Sequence, residues 1–189
     1  MNIINAIINL INTTSRCVMN NTDGSNRANN MGEGLEKYIK DIFANTIYSS
    51  SNDRKTIQHQ TFSYLGSKNY SPDAMLRGGD AIEIKKIENR SSDIALNSSH
   101  PKQKLSKQDN RVATACKTAR DDSDWEERDI IYVVGYVPKG TDTLKMLGMV
   151  YGTEYCASQD VYESIFHTVK DKIAEISNFE FTETNELAH

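Results

Sequence analysis

The chain has 189 residues and a formal net charge of −4, with 25% charged residues, 38% hydrophobic residues and three prolines. This length suits one domain, residues 1–189, with a sizeable core, and the composition excludes a disordered or fibrous chain. The three cysteines and four histidines are scattered, which argues against a disulfide framework and a zinc site. We therefore expect a cytoplasmic protein with no membrane association.

The first predicted element is a helix over residues 1–14. The segment has no basic start and its apolar runs are interrupted by asparagines, so it does not resemble a signal peptide. Its isoleucines recur at helical spacing, which predicts an amphipathic helix docked on the core; they are Ile3, Ile4, Ile7, Ile8 and Ile11.

A second helix is predicted over residues 30–44. Asn30 and Glu33 have the spacing of a capping box. The apolar stripe of this helix comprises Met31, Leu35, Ile39 and Ile42 or Phe43. Residues 46–60 are polar and predict a connection, and residues 61–66 predict a strand.

Residues 71–97 predict the strands that carry the chemistry. A strand is followed by a turn at Gly78 and Gly79 and by a second strand, "AIEIKKIE", because glycines permit the positive φ angles of a tight hairpin. A third short apolar run, "DIALN", ends at residue 97.

The rest of the chain predicts alternating helices and strands. Residues 104–120 have moderate helical character, residues 129–137 predict a buried strand with residues 143–152 as its neighbour, and residues 158–177 predict a closing helix. This order favours the α/β class, with a central mixed β-sheet flanked by helices on both sides.

Asp73, Glu83 and Lys85 form the most informative polar group. Glu83 and Lys85 share one face of an isoleucine-rich strand, because side chains alternate along a strand. A two-residue turn would pair Asp73 with Ile84 and turn it away, whereas an odd loop or a bulge pairs it with Glu83 or Lys85. We predict the odd register.

If the three side chains meet, two carboxylates can hold a hard divalent cation such as Mg²⁺, and the lysine ammonium can stand beside a phosphate. Together these groups suit phosphodiester hydrolysis. The alternative is a salt-bridged Glu83–Lys85 pair on an exposed strand face. Asp53-Arg54-Lys55 repeats the acid-x-lysine spacing, but it lies in a polar segment and we interpret it as a decoy.

Glu36 lies at the margin of the second helix's apolar stripe, where its carboxylate can lean over the cleft; alternatively it is a solvated glutamate. Residues 85–120 contain nine Lys and Arg residues and three acids. Their local charge of +6 suits binding to a phosphate backbone. Candidate DNA contacts, each of which can also be ordinary turn or surface residues, are Asn97, Ser98, Ser99, Lys102, Lys104 and Arg111.

Seven stretches resemble the NgoPII family of type II restriction endonucleases, within the PD-(D/E)xK nuclease superfamily. They are "NRANNMGEGLEKYIKDIF", "FSYLG", "PDAMLRGGDAIEIKKIE", "ALNSSHPKQKL", "ACKT", "DIIYVVG" and "MVYGTEYCAS", in this order. Family members extend further at the C-terminus, so we expect a shorter or truncated homologue.

The resemblance implies a PD-(D/E)xK restriction-endonuclease-like core and a Mg²⁺-dependent homodimer that cleaves double-stranded DNA at a short palindrome, GGCC in the family. Asp73 and Glu83 would be metal ligands, Lys85 the catalytic lysine and Glu36 an accessory acid. A cognate DNA methyltransferase is expected only as a functional partner.

The resemblance also implies that residues 97–99 lie near the DNA. Two other functions stay open from the residues themselves: a repair or recombination nuclease of the same fold that reads DNA structure, and a DNA-binding module that cuts nothing.

Overall fold

The computed structural model describes residues 1–18, 27–67, 70–91, 101–119 and 124–175. Its helices are α1 (Ile3–Asn12), α2 (Arg27–Ala44), α3 (Ser51–Thr61), α4 (Thr114–Lys117), α5 (Gly152–Tyr155) and α6 (Gln159–Ala174). Its strands are β1 (Phe62–Tyr64), β2 (Ala74–Leu76), β3 (Ala81–Ile87), β4 (Lys104–Ser106), β5 (Glu127–Tyr136) and β6 (Met146–Tyr151).

The strands form one mixed sheet in the order β1-β2-β3-β5-β4, and β6 also pairs with β5. β3 and β5 are parallel over the whole of β3, while the other pairs are antiparallel. The long apolar run of β5 therefore lies inside the sheet, as its β-branched composition predicts. The predicted α/β class, with a mixed central sheet flanked by helices, is confirmed.

Alternating side chains of β3 and β5 divide the core into two layers. Ile82, Ile84, Ile131 and Val133 pack with the buried face of α2 and with Ala6 of α1. On the other layer Ala81, Ile130 and Tyr132 pack with Leu105, Val112, Cys116 and Trp125. Because Glu83 and Lys85 alternate with Ile82 and Ile84, they point away from the α2 layer.

α2 carries most of the predicted stripe, since Leu35, Ile39, Ile42 and Phe43 are buried, while the side chain of Met31 lies outside the described part. The helix begins at Arg27 rather than at Asn30, so the predicted capping position is wrong. The polar connection predicted over residues 46–60 is also wrong, because most of it forms α3. Ser50 caps α3 by accepting a hydrogen bond from the Asp53 N–H. Asp53, the acid of the decoy motif, therefore lies in the first turn of this helix.

The helix predicted over residues 104–120 is largely wrong. Its first residues form β4, whose Leu105 pairs with Arg128 of β5, and only the four residues of α4 are helical. Leu105, Val112 and Cys116 of this segment are nevertheless buried. Strand pairing with β5 has overridden a weak helical pattern.

α1 and α6 form close to the predicted ranges but expose most of their apolar residues. α1 docks through Ala6, with Ile3 and Leu10 partly buried, whereas the isoleucines predicted to face the core are exposed: Ile4, Ile7, Ile8 and Ile11. α6 has no buried residue. Among the described residues, no helix combines the length and apolar composition needed to span a bilayer.

Candidate active site

The β2–β3 hairpin has the odd register that the sequence predicts. Ala74 pairs with Ile82 and Met75 with Ala81, so residues 77–79 form the loop and Asp73 stands across from Glu83. The Leu76 N–H donates to the Asp80 carbonyl at 2.9 Å, and Gly78 adopts a φ of 63° within the loop. A third loop residue thus turns Asp73 to the side of the sheet that carries Glu83.

Glu83 and Lys85 form a close pair on this side of β3. The Lys85 Nζ donates to Glu83 Oε1 at 2.8 Å, and the Glu83 side chain is only 11% exposed. Burial works to lower the pKa of Lys85, but the negative charges of Glu83, Asp73 and Glu36 outweigh it and raise that pKa. Lys85 is therefore a positively charged ammonium at neutral pH.

Asp73 lies beside this pair. Its Oδ2 accepts a hydrogen bond from the Ile84 N–H at 2.6 Å. Burial raises the pKa of Asp73 to about 8, and the Glu83 and Glu36 carboxylates add to the rise. The loss of a proton from Asp73 is therefore disfavoured until positive charge is supplied beside it.

Glu36 approaches the same group from α2, since its charge acts on both Asp73 and Lys85. Its Oε2 lies 3.5 Å from the Lys40 Nζ, which also donates to the Leu65 carbonyl at 3.0 Å. The structure thus brings Glu83 and Lys85 of β3 together with Asp73 from the loop before β2, and the charge of Glu36 on α2 acts on this group.

Three residues that support this group were not predicted from the sequence. Ser71 donates its hydroxyl proton to Glu83 Oε2 at 2.8 Å, and Lys40 joins Glu36 to the loop at Leu65. Gly66 has a φ of 86°, and a Cβ atom there would lie 2.3 Å from the Asp73 carbonyl oxygen. Only the position of Ser71 beside Pro72-Asp73 and the four-residue spacing of Glu36 and Lys40 could have signalled any of them.

Asp73 and Glu83 are the residues that can hold a metal ion. Within the described ranges no three His, Cys, Asp or Glu side chains form a complete metal cage. Two hard carboxylates nevertheless fit Mg²⁺, which is commonly bound through one or two carboxylates while water fills its other positions. The acidic pair, with its raised Asp73 pKa, has the electrostatic character of a cation site.

The predicted DNA contacts fall into three groups. Asn97, Ser98 and Ser99 lie outside the described residues, as does the predicted strand at residues 93–97. Lys104 is about half exposed on β4, and Arg111 is also partly exposed. The ammonium of Lys102 is buried against Asp109. Lys102 therefore links the chain just before β4 to the loop just after β4.

Comparison with known proteins adds an independent line of evidence. The NgoPII restriction endonuclease family matches residues 1–189. The type II restriction enzyme NgoPII of Neisseria gonorrhoeae is 49% identical over 187 residues, which cover 99% of this chain and 66% of that enzyme. The chain thus spans just under two thirds of the relative's length. No solved structure matches the chain.

Proposed function

Because the chain belongs to the NgoPII restriction endonuclease family, we propose that it is a type II site-specific endodeoxyribonuclease that hydrolyses phosphodiester bonds in double-stranded DNA. The observation that carries this proposal is the convergence of Asp73, Glu83 and Lys85 at the β2–β3 hairpin. The substrate is a short palindrome, GGCC by resemblance to the family. The core is of the PD-(D/E)xK type, in a single domain.

Asp73 and Glu83 hold the cofactor Mg²⁺ in this proposal, and Glu36 contributes a further negative charge at the margin of the site. Bound Mg²⁺ supplies positive charge to the scissile phosphate and lowers the pKa of a water molecule. The Asp73 carboxylate keeps its orientation through the hydrogen bond from the Ile84 N–H.

Lys85 stabilises negative charge on the phosphate. Burial works to lower the pKa of Lys85, but the neighbouring carboxylates raise it overall, which favours the ammonium form that an electrostatic role requires. The hydrogen bond to Glu83 Oε1 holds the Lys85 Nζ at the acidic pair, where the ammonium would stabilise the charge of a bound phosphate.

The basic region of residues 85–120 contacts the DNA backbone in this proposal. Lys104 and Arg111 are its exposed candidates, and residues 97–99 are nearby in the sequence. A palindromic site is matched by a two-fold protein dimer in which each protomer cuts one strand. We therefore include a homodimer, a cytoplasmic location and a cognate DNA methyltransferase as functional partner in the proposal.

Incubation of the purified chain with plasmid and Mg²⁺, with EDTA as control, tests the proposed function. Discrete fragments that appear only with Mg²⁺ are the expected result. Smearing, or cleavage of branched DNA alone, would indicate the repair nuclease, and retarded but intact DNA would indicate a binding module. Light scattering of the same sample should give the mass of a dimer.

A further inference from the structure

The Glu83 carboxylate is held at both of its oxygen atoms. Oε1 accepts from the Lys85 ammonium and Oε2 accepts from the Ser71 hydroxyl, each at 2.8 Å. Two donors on opposite oxygens fix the plane of the carboxylate, whereas one donor leaves it free to rotate about its last bond. The orientation of Glu83 therefore depends on Ser71 as well as on Lys85.

The two donors differ in charge, and this difference separates their roles. A lysine carries an ammonium group, so Lys85 repels a divalent metal and attracts a phosphate. Ser71 is neutral, so its hydroxyl can keep its bond to Oε2 when positive charge arrives nearby. An oxygen that accepts one hydrogen bond still has a lone pair for a metal ion.

Asp73 is oriented in a similar way. Its Oδ2 accepts from the neutral Ile84 N–H, and Ser71 stands only two residues before it in the chain. The segment of residues 71–73 thus supplies one carboxylate and orients the other. Both acids have one oxygen fixed by a neutral donor.

We propose that Ser71 is a positioning residue that orients the Glu83 carboxylate for a divalent cation. This inference rests on the proposed function, because it assigns Ser71 to the same metal site. Removal of a partner that orients a metal ligand weakens metal affinity by about 10- to 100-fold in known sites, and a loss of this size is expected here.

Calorimetric titration of Mg²⁺ into the free protein tests the proposal without cleavage. Ser71→Ala should weaken Mg²⁺ binding by about 10-fold or more, and Ser71→Thr, which keeps the hydroxyl, should restore most of it. Ser63→Ala is the matched control, because the Ser63 hydroxyl donates to the Met75 carbonyl on the neighbouring strand. Plasmid cleavage by Ser71→Ala should require correspondingly more Mg²⁺.

Unchanged Mg²⁺ affinity in Ser71→Ala, with a wild-type chain that binds Mg²⁺ and cuts DNA, would overturn the role of Ser71 alone. A lower melting temperature with unchanged Mg²⁺ affinity would show that Ser71 is a purely structural residue. That result would also overturn the proposed positioning role. A wild-type chain that neither binds Mg²⁺ nor cuts DNA would overturn the proposed function, and the role of Ser71 with it.

Discussion

The main chain at Asp73 is placed by its contact with Gly66. A Cβ atom at Gly66 would lie 2.3 Å from the Asp73 carbonyl oxygen and 3.0 Å from its carbonyl carbon. Both are backbone atoms, which cannot turn aside as a flexible side chain can. The positive φ of Gly66 adds strain for any other residue. Gly66 therefore sets the position of a proposed metal ligand without touching the metal.

Gly66→Ala is expected to lower the cleavage rate by about 100-fold, because a misplacement of about 1 Å at a reacting group has a cost of this order. The measurement is the rate of plasmid cleavage at saturating Mg²⁺. Gly148→Ala is the matched control, since a Cβ atom there meets nothing within 4 Å. Equal rates for the two variants would remove Gly66 from the support of Asp73.

At the residue scale, the central group could be predicted from the sequence because it depends on local rules. Charges two residues apart in an isoleucine strand share a face, and a glycine-rich loop permits the odd register. Ser71 and Gly66 could not be predicted. Their importance comes from contacts with Glu83 and Asp73 that depend on how the hairpin and the preceding loop fold together.

At the scale of elements, α2 anchors the site to the sheet. Its residues Leu35, Ile39 and Phe43 are completely buried against the layer that contains Ile82 and Ile84. The same helix extends Glu36 toward Asp73 and Lys85. The packing of α2 therefore fixes both the core and one of the four charges of the site.

Ile39→Ala should lower the free energy of unfolding by about 2–5 kcal/mol, the usual cost of a large cavity in a close-packed core. Urea denaturation of the purified chain measures this change. Ile11→Ala on α1 provides the same substitution at a position that is 73% exposed, and it should change stability by less than about 0.5 kcal/mol. Similar losses in the two variants would contradict the described packing.

The elements that could not be predicted are those stabilised by distant partners. α3 has a polar sequence, yet its Arg54 lies 3.1 Å from Asp41 of α2, and its Gln58 also donates to Asp41. β4 is a strand because it pairs with β5, more than twenty residues further along the chain. By contrast, β5 is evident from its own apolar run, and α2 from its own stripe.

At the scale of the whole molecule, charge is distributed unevenly. Residues 85–120 carry a local charge of +6, whereas the segment from Glu154 to the C-terminus carries −6. A net charge of −4 therefore conceals a basic region suited to DNA. Part of this region lies outside the described residues, and Lys102 within it is already paired with Asp109.

DNA affinity is expected to fall steeply with salt if the basic region contacts phosphates, because each contact releases condensed counterions. Binding measured with Ca²⁺ in place of Mg²⁺ tests this expectation. Lys104→Ala should reduce the slope of log affinity against log salt concentration by about one, the change expected for the loss of one phosphate contact. A flat salt profile for the wild type would place the DNA on another face.

The central claim is that Lys85, held beside Asp73 and Glu83, acts on the scissile phosphate. It is tested most directly by Mg²⁺-dependent plasmid cleavage with Lys85→Ala and, as matched control, Lys86→Ala. Lys86 is the next residue of β3, points to the opposite face and pairs with Glu88. The account predicts that Lys85→Ala cleaves at least about 100-fold more slowly, while Lys86→Ala retains most of its activity and both variants still bind DNA. Wild-type cleavage by Lys85→Ala would contradict the account.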